Sequence, residues 1–456
     1  MSNIASDSGS NVRVRFPPSP TGFCHVGTAR MAIINFLFAR KHGGTIVFRS
    51  EDTDRARSKI EFEDDIKEQL TWLGLGWDDF ERQSERAGIH TEALKKLIAE
   101  DKAYVSEEPS KNDPAVNVRV VRLRNPGTVI TFTDIIRGDI TFDTTELKDF
   151  AIARSETDPL YHFAVVMDDH DMGITHVIRG EDHISNTPRQ ILIQEALGFP
   201  RPQYAHYPLH LGADKSKLSK RTGDVAVKSY REKGFLSEAL LNYIAILGWT
   251  PPSEREIIGL EEMIAEFDLK HLHKSGAVFD LEKLRWYNRQ YLLAMAESEF
   301  KAGALDALKT ALVARNIPWD DAVGEKLLPL LRERTAVWED IREQVAEGEY
   351  DYFFVDPSLE PELIPQKGEV ASIASKHLAH AHEALSAASA ESFEDATRLK
   401  DIMWDYASAE GRGSVLWPLR FSLSGRAKSP DPFTIAALIG KDATLRRIES
   451  ARSKLV

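Results

Sequence analysis

Cysteine is almost missing from this 456-residue sequence: Cys24 stands alone, which excludes an intrachain disulfide and any zinc site built from several cysteines, and leaves Cys24 as a small packed side chain. Long apolar runs are missing too. None approaches the roughly 18 residues that cross a bilayer, and the opening MSNIASDSGSN has no signal-peptide core, so no membrane partner and a cytoplasmic location are expected. Positive charge is short, with 58 Lys and Arg against 71 Asp and Glu, and a net charge of -13 taken alone speaks against a polyanionic partner. Repeats and low-complexity blocks are absent. What is present is enough apolar material, 42% of residues, for several cores, and length suggests about three domains.

The charge deficit is regional. Residues 339–410 hold 17 acidic and 5 basic side chains, whereas 412–456 hold 9 basic and 3 acidic, so the last segment is suited to a polyanion although the whole chain is acidic. Solvated helix faces would give the same charge pattern.

Local texture changes along the chain. Up to about residue 80, strand-like VRVRF and TIVFRS alternate with helical TARMAIINFLFARK and IEFEDDIKEQLTWLGL, the pattern of a parallel sheet covered by helices. From about 104 to 177, short runs (VNVRVVRL, TVITFTD, DITFD, FAIAR, YHFAVVMDD) read as strands of a β-rich insertion. The alternating texture returns with a strand at 174–179 and a helix for which Thr187 is the expected N-cap and Pro188 a first-turn residue. Beyond about 235 nearly everything reads as helix.

Two stretches carry phosphate chemistry. PPSPTGFCHVGTAR (17–30) is a rigid turn between a strand and a helix: Pro17, Pro18 and Pro20 restrict it, Gly22 and Gly27 admit a large anion, and His25 stands at the positive end of the helix. It fits neither GxGxxG nor GxxxxGKS/T. The second, LGADKSKLSKRTGD (211–224), gathers Lys215, Lys217, Lys220 and Arg221 between Gly212 and Gly223, as a loop that closes on a phosphate chain would. Alone, each has a bland reading, a surface histidine or a solvated basic loop.

Together they resemble the two signatures of the class I aminoacyl-tRNA synthetases, His25-Val26-Gly27-Thr28 and Lys217-Leu218-Ser219-Lys220-Arg221. RSEDTDRAR (49–57), YHFAVVMDDHDMGITHVIRGEDH (161–183), GFLSEALLNYIAILGW (234–249) and FDLEKLRWYNRQYL (279–292) are similar to segments of the bacterial glutamyl branch. The resemblance implies an interrupted Rossmann-like parallel-sheet catalytic domain (1–80 and 178–235), a β-rich inserted acceptor-end-binding domain (81–177), a stem-contact domain (236–295) and an all-helical anticodon-binding region (296–456). It implies a glutamate-tRNA ligase that forms glutamyl-adenylate from ATP and esterifies tRNA(Glu), with tRNA(Gln) left open as a second acceptor, working as a monomer. The alternative is a synthetase-like protein that binds tRNA without catalysis.

The implied roles follow residue by residue. His25, Lys217 and Lys220 would be catalytic; Pro17, His25, Gly27, Thr28, Asp182 and Lys220 would hold ATP, with Mg2+ riding mainly on its phosphates. Thr28 stands where the strict signature has a second histidine. Arg15 and Arg179, at strand ends, suit the substrate carboxylates, with Ser19, Glu51 and Tyr161 completing the glutamate pocket. Arg334 and Arg420 would read tRNA. Between Tyr104 and Val116 the short VSEEPSKNDPA replaces a longer family segment that in some relatives holds zinc, so neither zinc nor any other metal held by the protein is expected. The helical C-terminal half is unlike the β-barrels of glutaminyl-tRNA synthetases, and its presence is unlike the shorter glutamyl-queuosine enzymes.

Overall fold

A computed structural model describes residues 12–110, 113, 115–212 and 226–455. The chain divides into two compact units, residues 1–288 and 289–456.

The first unit opens with strand β1 (Arg13–Phe16), helix α1 (Val26–Lys41), β2 (Thr45–Ser50), α2 (Ile60–Trp72) and β3 (Asp79–Arg82), a β1-β2-β3 sheet in which both pairings are parallel. Eleven of the sixteen residues of α1 are buried because it packs against β1, β2 and the later strand β10 (His176–Gly180) and also against the later helices α7 (Ser237–Ile246) and α8 (Leu260–Glu266); this is why its sequence is apolar on most sides rather than striped. Gly43, at φ 62°, then turns the chain back to β2.

After α3 (Ala87–Ala99), antiparallel strands β4 (Ala103–Pro109), β5 (Asn117–Leu123), β8 (Ala151–Ser155) and β9 (Asp158–Pro159) form one sheet. Its neighbours in sequence, β6 (Val129–Asp134) and β7 (Gly138–Asp143), form a hairpin that extends a different sheet, β10-β11-β6-β7, in which β10 (His176–Gly180), β11 (Gln203–Tyr207) and β6 are parallel. The segment interrupting the parallel strands therefore shares their core: Val121, Ile130, Phe132 and Ile152 pack in one cluster with Val47, Phe163, Val177 and Ile191. The two parallel sheets meet where the Thr175 N–H, just ahead of β10, donates to the Arg13 carbonyl of β1 (2.9 Å).

Two local expectations are corrected. YHFAVVMDD is a helix, α4 (Tyr161–Asp171), and its seven consecutive buried residues Phe163–Asp169 erase the polar stripe that would distinguish it from a buried strand. Thr187 does not cap α5 (Thr187–Leu197); Asn186 holds that position, and Thr187 is the first helical residue with its hydroxyl turned to Arg179. The unit continues through β12 (His210–Leu211), α6 (Val227–Lys233), α7 (Ser237–Ile246), α8 (Leu260–Glu266), β13 (Ala277–Val278) and the start of α9 (Leu281–Ala294).

The described elements of the second unit are helices: α10 (Glu297–Ala314), α11 (Asp321–Arg334), α12 (Trp338–Ala346), α13 (Asp351–Phe354), α14 (Ala371–Ala387), α15 (Ala396–Glu410), α16 (Arg412–Ser424) and α17 (Pro432–Ser453), the last kinked at Gly440. No helix among the described residues is long and apolar enough to cross a membrane.

Candidate active site

A cleft of about 380 Å3 lies at the carboxyl ends of β1, β2 and β10. Open parallel sheets bind ligands at such ends because the strand order reverses there and the following loops diverge. Among its lining residues are Arg15, Pro17, Ser19, His25, Gly27, Thr28, Glu51, Tyr161, Arg179 and Asp182, so the structure brings every glutamate-site and ATP-site candidate within the described residues to one place. Lys217 and Lys220 lie outside the described residues.

The proline turn is fastened at both ends. The Glu51 N–H donates to the Pro18 carbonyl (2.9 Å), the Lys59 N–H to that of Pro20 (3.0 Å), and the Cys24 N–H to Asp65 Oδ2 (2.7 Å). Cys24 is fully buried, and burial with the nearby Asp65 charge pushes its thiol well above the ordinary range, consistent with packing rather than reactivity. His25 is the N-cap of α1: its Nδ1 accepts the Thr28 N–H (3.1 Å), and Nε2 lies 3.3 Å from the Thr28 hydroxyl. A Cβ on Gly27 would stand 3.0 Å from this ring, so glycine is what lets the imidazole lie over the helix end.

Behind the turn lies an ion network that the sequence reading missed in part. Asp169 Oδ1 accepts from Arg15 Nε (3.0 Å) and Arg49 Nη1 (2.7 Å), and Arg49 Nη2 donates to Glu51 Oε1 (3.0 Å). Burial alone would lower the Arg49 pKa, but Asp169 and Glu51 outweigh it and hold the guanidinium above its ordinary value. Burial raises the Glu51 pKa against the opposing pull of Arg49 and Arg15, and it lifts Tyr161 to about 12, with Glu51 adding to the shift.

Arg179 is different. It is 5% exposed, and its hydrogen-bond partners are neutral: His206 Nε2 accepts from Nε (3.1 Å) and Thr187 Oγ1 from Nη2 (2.8 Å). Its Nη1, like Nη1 of Arg15, is buried without a partner among the described residues. Burial, and secondarily the Arg15 charge, lower its pKa, the signature of a cation that lacks its anion. His183, pulled down to about 4 by burial and by Arg179, also lines the cleft, as do Arg30 and Tyr207. All three were absent from the sequence-based site. Arg30 donates to the Pro208 carbonyl and lies over the Tyr207 ring (5.2 Å), contacts between segments far apart in sequence.

The acidic run 168–171 is accounted for by protein partners: Asp168 accepts from Arg86 Nε (2.8 Å) and Gln83 Nε2 (2.8 Å) and meets His90 Nε2 (2.7 Å), while Asp171 pairs with Arg86. Among the described residues no group of three or more His, Cys, Asp or Glu side chains is placed to hold a metal ion.

In the helical unit, Arg334 ends α11 with one third of its side chain exposed and Glu349 3.7 Å away. Arg420 of α16 donates to Ser429 Oγ (3.2 Å) and the Ala427 carbonyl (2.9 Å) and stacks over Trp417 (4.8 Å). Both come within electrostatic reach of Tyr352, as does Arg426. The basic tail is partly internal: Arg447 is buried, donating to Asp356 and to the Tyr352 and Leu423 carbonyls.

Comparison with known proteins matches residues 11–113 and 106–286 to the catalytic domain of tRNA synthetases class I (E and Q), and residues 292–452 to an anticodon binding domain. The chain is 36% identical to the glutamate–tRNA ligase of Desulforamulus reducens over 97% of its own length and 99% of the relative's. It is 39% identical to glutamate–tRNA ligase 1 of Syntrophus aciditrophicus over 96% of each. The crystal structure of a glutamate tRNA ligase from Elizabethkingia meningosepticum, in complex with its amino acid, superposes with a TM-score of 0.84 at 32% identity, covering 98% of this chain and all of that one.

Proposed function

The chain belongs to the class I tRNA synthetases of the glutamate and glutamine type, and from that premise we propose that it activates glutamate with ATP and transfers it to the 3′ end of tRNA(Glu). The observation that carries the choice of amino acid is Arg179, a buried guanidinium that among the described residues has neutral partners and one nitrogen still unpartnered, beside Arg15 with another. A substrate carboxylate supplies the missing anion. A forked guanidinium binds it better than a carboxamide, which brings no charge.

In this reading, Arg15 and Arg179 divide the two carboxylates of glutamate, Ser19 and Tyr161 contribute hydrogen bonds, and Glu51 faces the ammonium. The α-carboxylate oxygen attacks the α-phosphorus of ATP, the bond to the bridging oxygen breaks, and pyrophosphate leaves. Pro17, Gly27 and Thr28 shape the phosphate turn, with Asp182 at the nucleoside. His25 and Lys220 bind the charge that develops on the phosphates, and Lys217 holds the basic loop closed. Mg2+ bound with ATP would ride mainly on the phosphates and would neutralise part of their charge, as this hard cation usually does. The boundaries 1–80 with 178–235, 81–177, 236–295 and 296–456 are proposed as catalytic, acceptor-end, stem-contact and anticodon-reading regions of a cytoplasmic monomer.

The test is charging with labelled glutamate on purified tRNA(Glu) and tRNA(Gln), alongside glutamate-dependent ATP–pyrophosphate exchange with tRNA present. Charging of tRNA(Glu) that fails with glutamine as substrate is the expected result. Binding of tRNA with neither exchange nor charging would favour a non-catalytic tRNA binder.

A further inference from the structure

Arg179 raises a question of orientation. A guanidinium held only by neutral acceptors can rotate, yet in this cleft-lining side chain it is Nη1 that is left without a partner among the described residues. What selects that edge is a chain of hydrogen bonds running to β6, in the segment that interrupts the parallel strands. Arg179 Nε can only donate, so His206 Nε2, 3.1 Å away, must be the bare, accepting nitrogen. The ring proton therefore sits on Nδ1 and is donated to Asp134 Oδ2 at 2.7 Å. Asp134 is itself fixed, because its Oδ1 accepts the N–H groups of Ile136 and Arg137, both at 2.9 Å. Asp134 and His206 are at most 1% exposed, and burial holds His206 below the ordinary imidazole value, hence neutral.

We propose that Asp134 and His206 are positioning residues for the amino acid: Asp134 sets the His206 tautomer, and that tautomer holds Arg179 with Nη1 free for the substrate carboxylate. The proposal rests on reading the cleft as the glutamate site. The physical reason is one of matching donors to acceptors. With the opposite tautomer, an Nε2–H would face the Nε–H of Arg179, two donors in a buried place, and if it turned to the Thr187 hydroxyl 3.2 Å away it would compete with Arg179 Nη2 for that oxygen, so the guanidinium would turn away. Asp134→Asn creates this state: its carbonyl oxygen stays with the Ile136 and Arg137 amides, its NH2 faces His206 Nδ1, and the ring proton is driven to Nε2. An Asp to Asn exchange that enforces the wrong histidine tautomer is a known route to lost activity with geometry intact.

The experiment measures glutamate KM, ATP KM and kcat for wild type, Asp134→Asn, His206→Gln, His206→Leu and Arg179→Ala, with the His206 tautomer read by 15N NMR of histidine-labelled protein, its signal assigned by its loss in His206→Gln. We expect Asp134→Asn to show the Nε2–H tautomer and to raise glutamate KM at least about tenfold, with ATP KM within about twofold. His206→Gln keeps an acceptor near the Nε2 position and should stay close to wild type, whereas His206→Leu should match Asp134→Asn. If Asp134→Asn switched the tautomer and glutamate KM did not move, or if Gln and Leu at 206 raised both KM values alike, the two residues would be structural only. If Arg179→Ala itself left glutamate KM unchanged, the assignment of the cleft would fall, a failure distinguishable from that of the tautomer relay.

Discussion

Arg49 and Arg179 are both buried arginines at the same sheet edge, and their partners predict opposite behaviour. Arg49 neutralises Asp169 and Glu51, so Arg49→Met strands Glu51, leaves Asp169 to Arg15 alone, and should lower the thermal midpoint by several degrees, on the order of 3 kcal/mol. Arg179 has no carboxylate partner among the described residues, so Arg179→Met removes an uncompensated cation; its midpoint should stay or rise while glutamate KM climbs about 100-fold or more. A calorimetric midpoint set against KM for each variant decides between a binding and a structural role. Glu63 gives a pH test at the same scale. Although burial opposes it, hydrogen bonds from Arg82 and Lys67 lower its pKa from 4.5 to about 2 in the folded chain. A depressed carboxyl pKa stabilises the fold above the unfolded value, and that contribution disappears as pH falls through the folded value. Glu63→Gln should therefore flatten the acid side of the melting-temperature profile between pH 4.5 and about 2, and an unchanged profile would remove Glu63 from the account.

Between strand and helix, the turn at His25 combines two tasks that a pair of substitutions can separate. As N-cap, His25 satisfies a backbone N–H of α1; as a cleft residue it is proposed to bind phosphate. Asparagine is a good N-cap but too short to follow the imidazole, so His25→Asn should keep the wild-type melting temperature and lose most of its turnover, while His25→Ala should lose turnover and about 1 kcal/mol of stability. If both variants kept turnover, the phosphate role would be gone. This turn was legible in the sequence because proline, glycine and helix-start signals act through neighbouring residues. The helix at 161–171 was not, since burial on most of its sides replaces the helical stripe by a run of apolar residues rich in valine. Nor were Asp169 with Arg49, or Asp134 with His206: these pairs lie 120 and 72 residues apart, and only the pairing of β6 with β11 and the packing of α4 bring them together. That Arg15 and Arg179 line one cleft was legible because strand ends in a parallel sheet are predictable places, whereas what orients them is tertiary.

For the molecule as a whole, an acidic chain with an anticodon binding domain must still meet a polyanion, and the surroundings of the arginines in the helical unit separate the candidates. Several basic residues of the C-terminal segment are occupied internally, Arg447 most completely, so net charge by segment overstates the surface available to tRNA. Arg334 and Arg420 differ in the same way. Arg420 ties α16 to the loop at Ala427–Ser429 and packs on Trp417, so Arg420→Ala should cost stability as well as recognition. Among the described residues Arg334 has one ion pair, a long one with Glu349, and a partly exposed pair of that kind contributes at most about 1 kcal/mol, so Arg334→Ala should leave the melting temperature nearly unchanged. If Arg334 reads an anticodon base, its loss should weaken charging of tRNA(Glu) by roughly 1 to 3 kcal/mol in kcat/KM, leave ATP and glutamate KM untouched, and shrink the discrimination against anticodon-substituted tRNA. A phosphate contact predicts another pattern: charging of all tRNAs falls together, and the salt dependence becomes shallower by about one counterion. Measuring charging of wild-type and anticodon-substituted tRNA across a range of salt concentrations separates base reading from phosphate binding, and a variant that matched wild type in both would move recognition away from the end of α11.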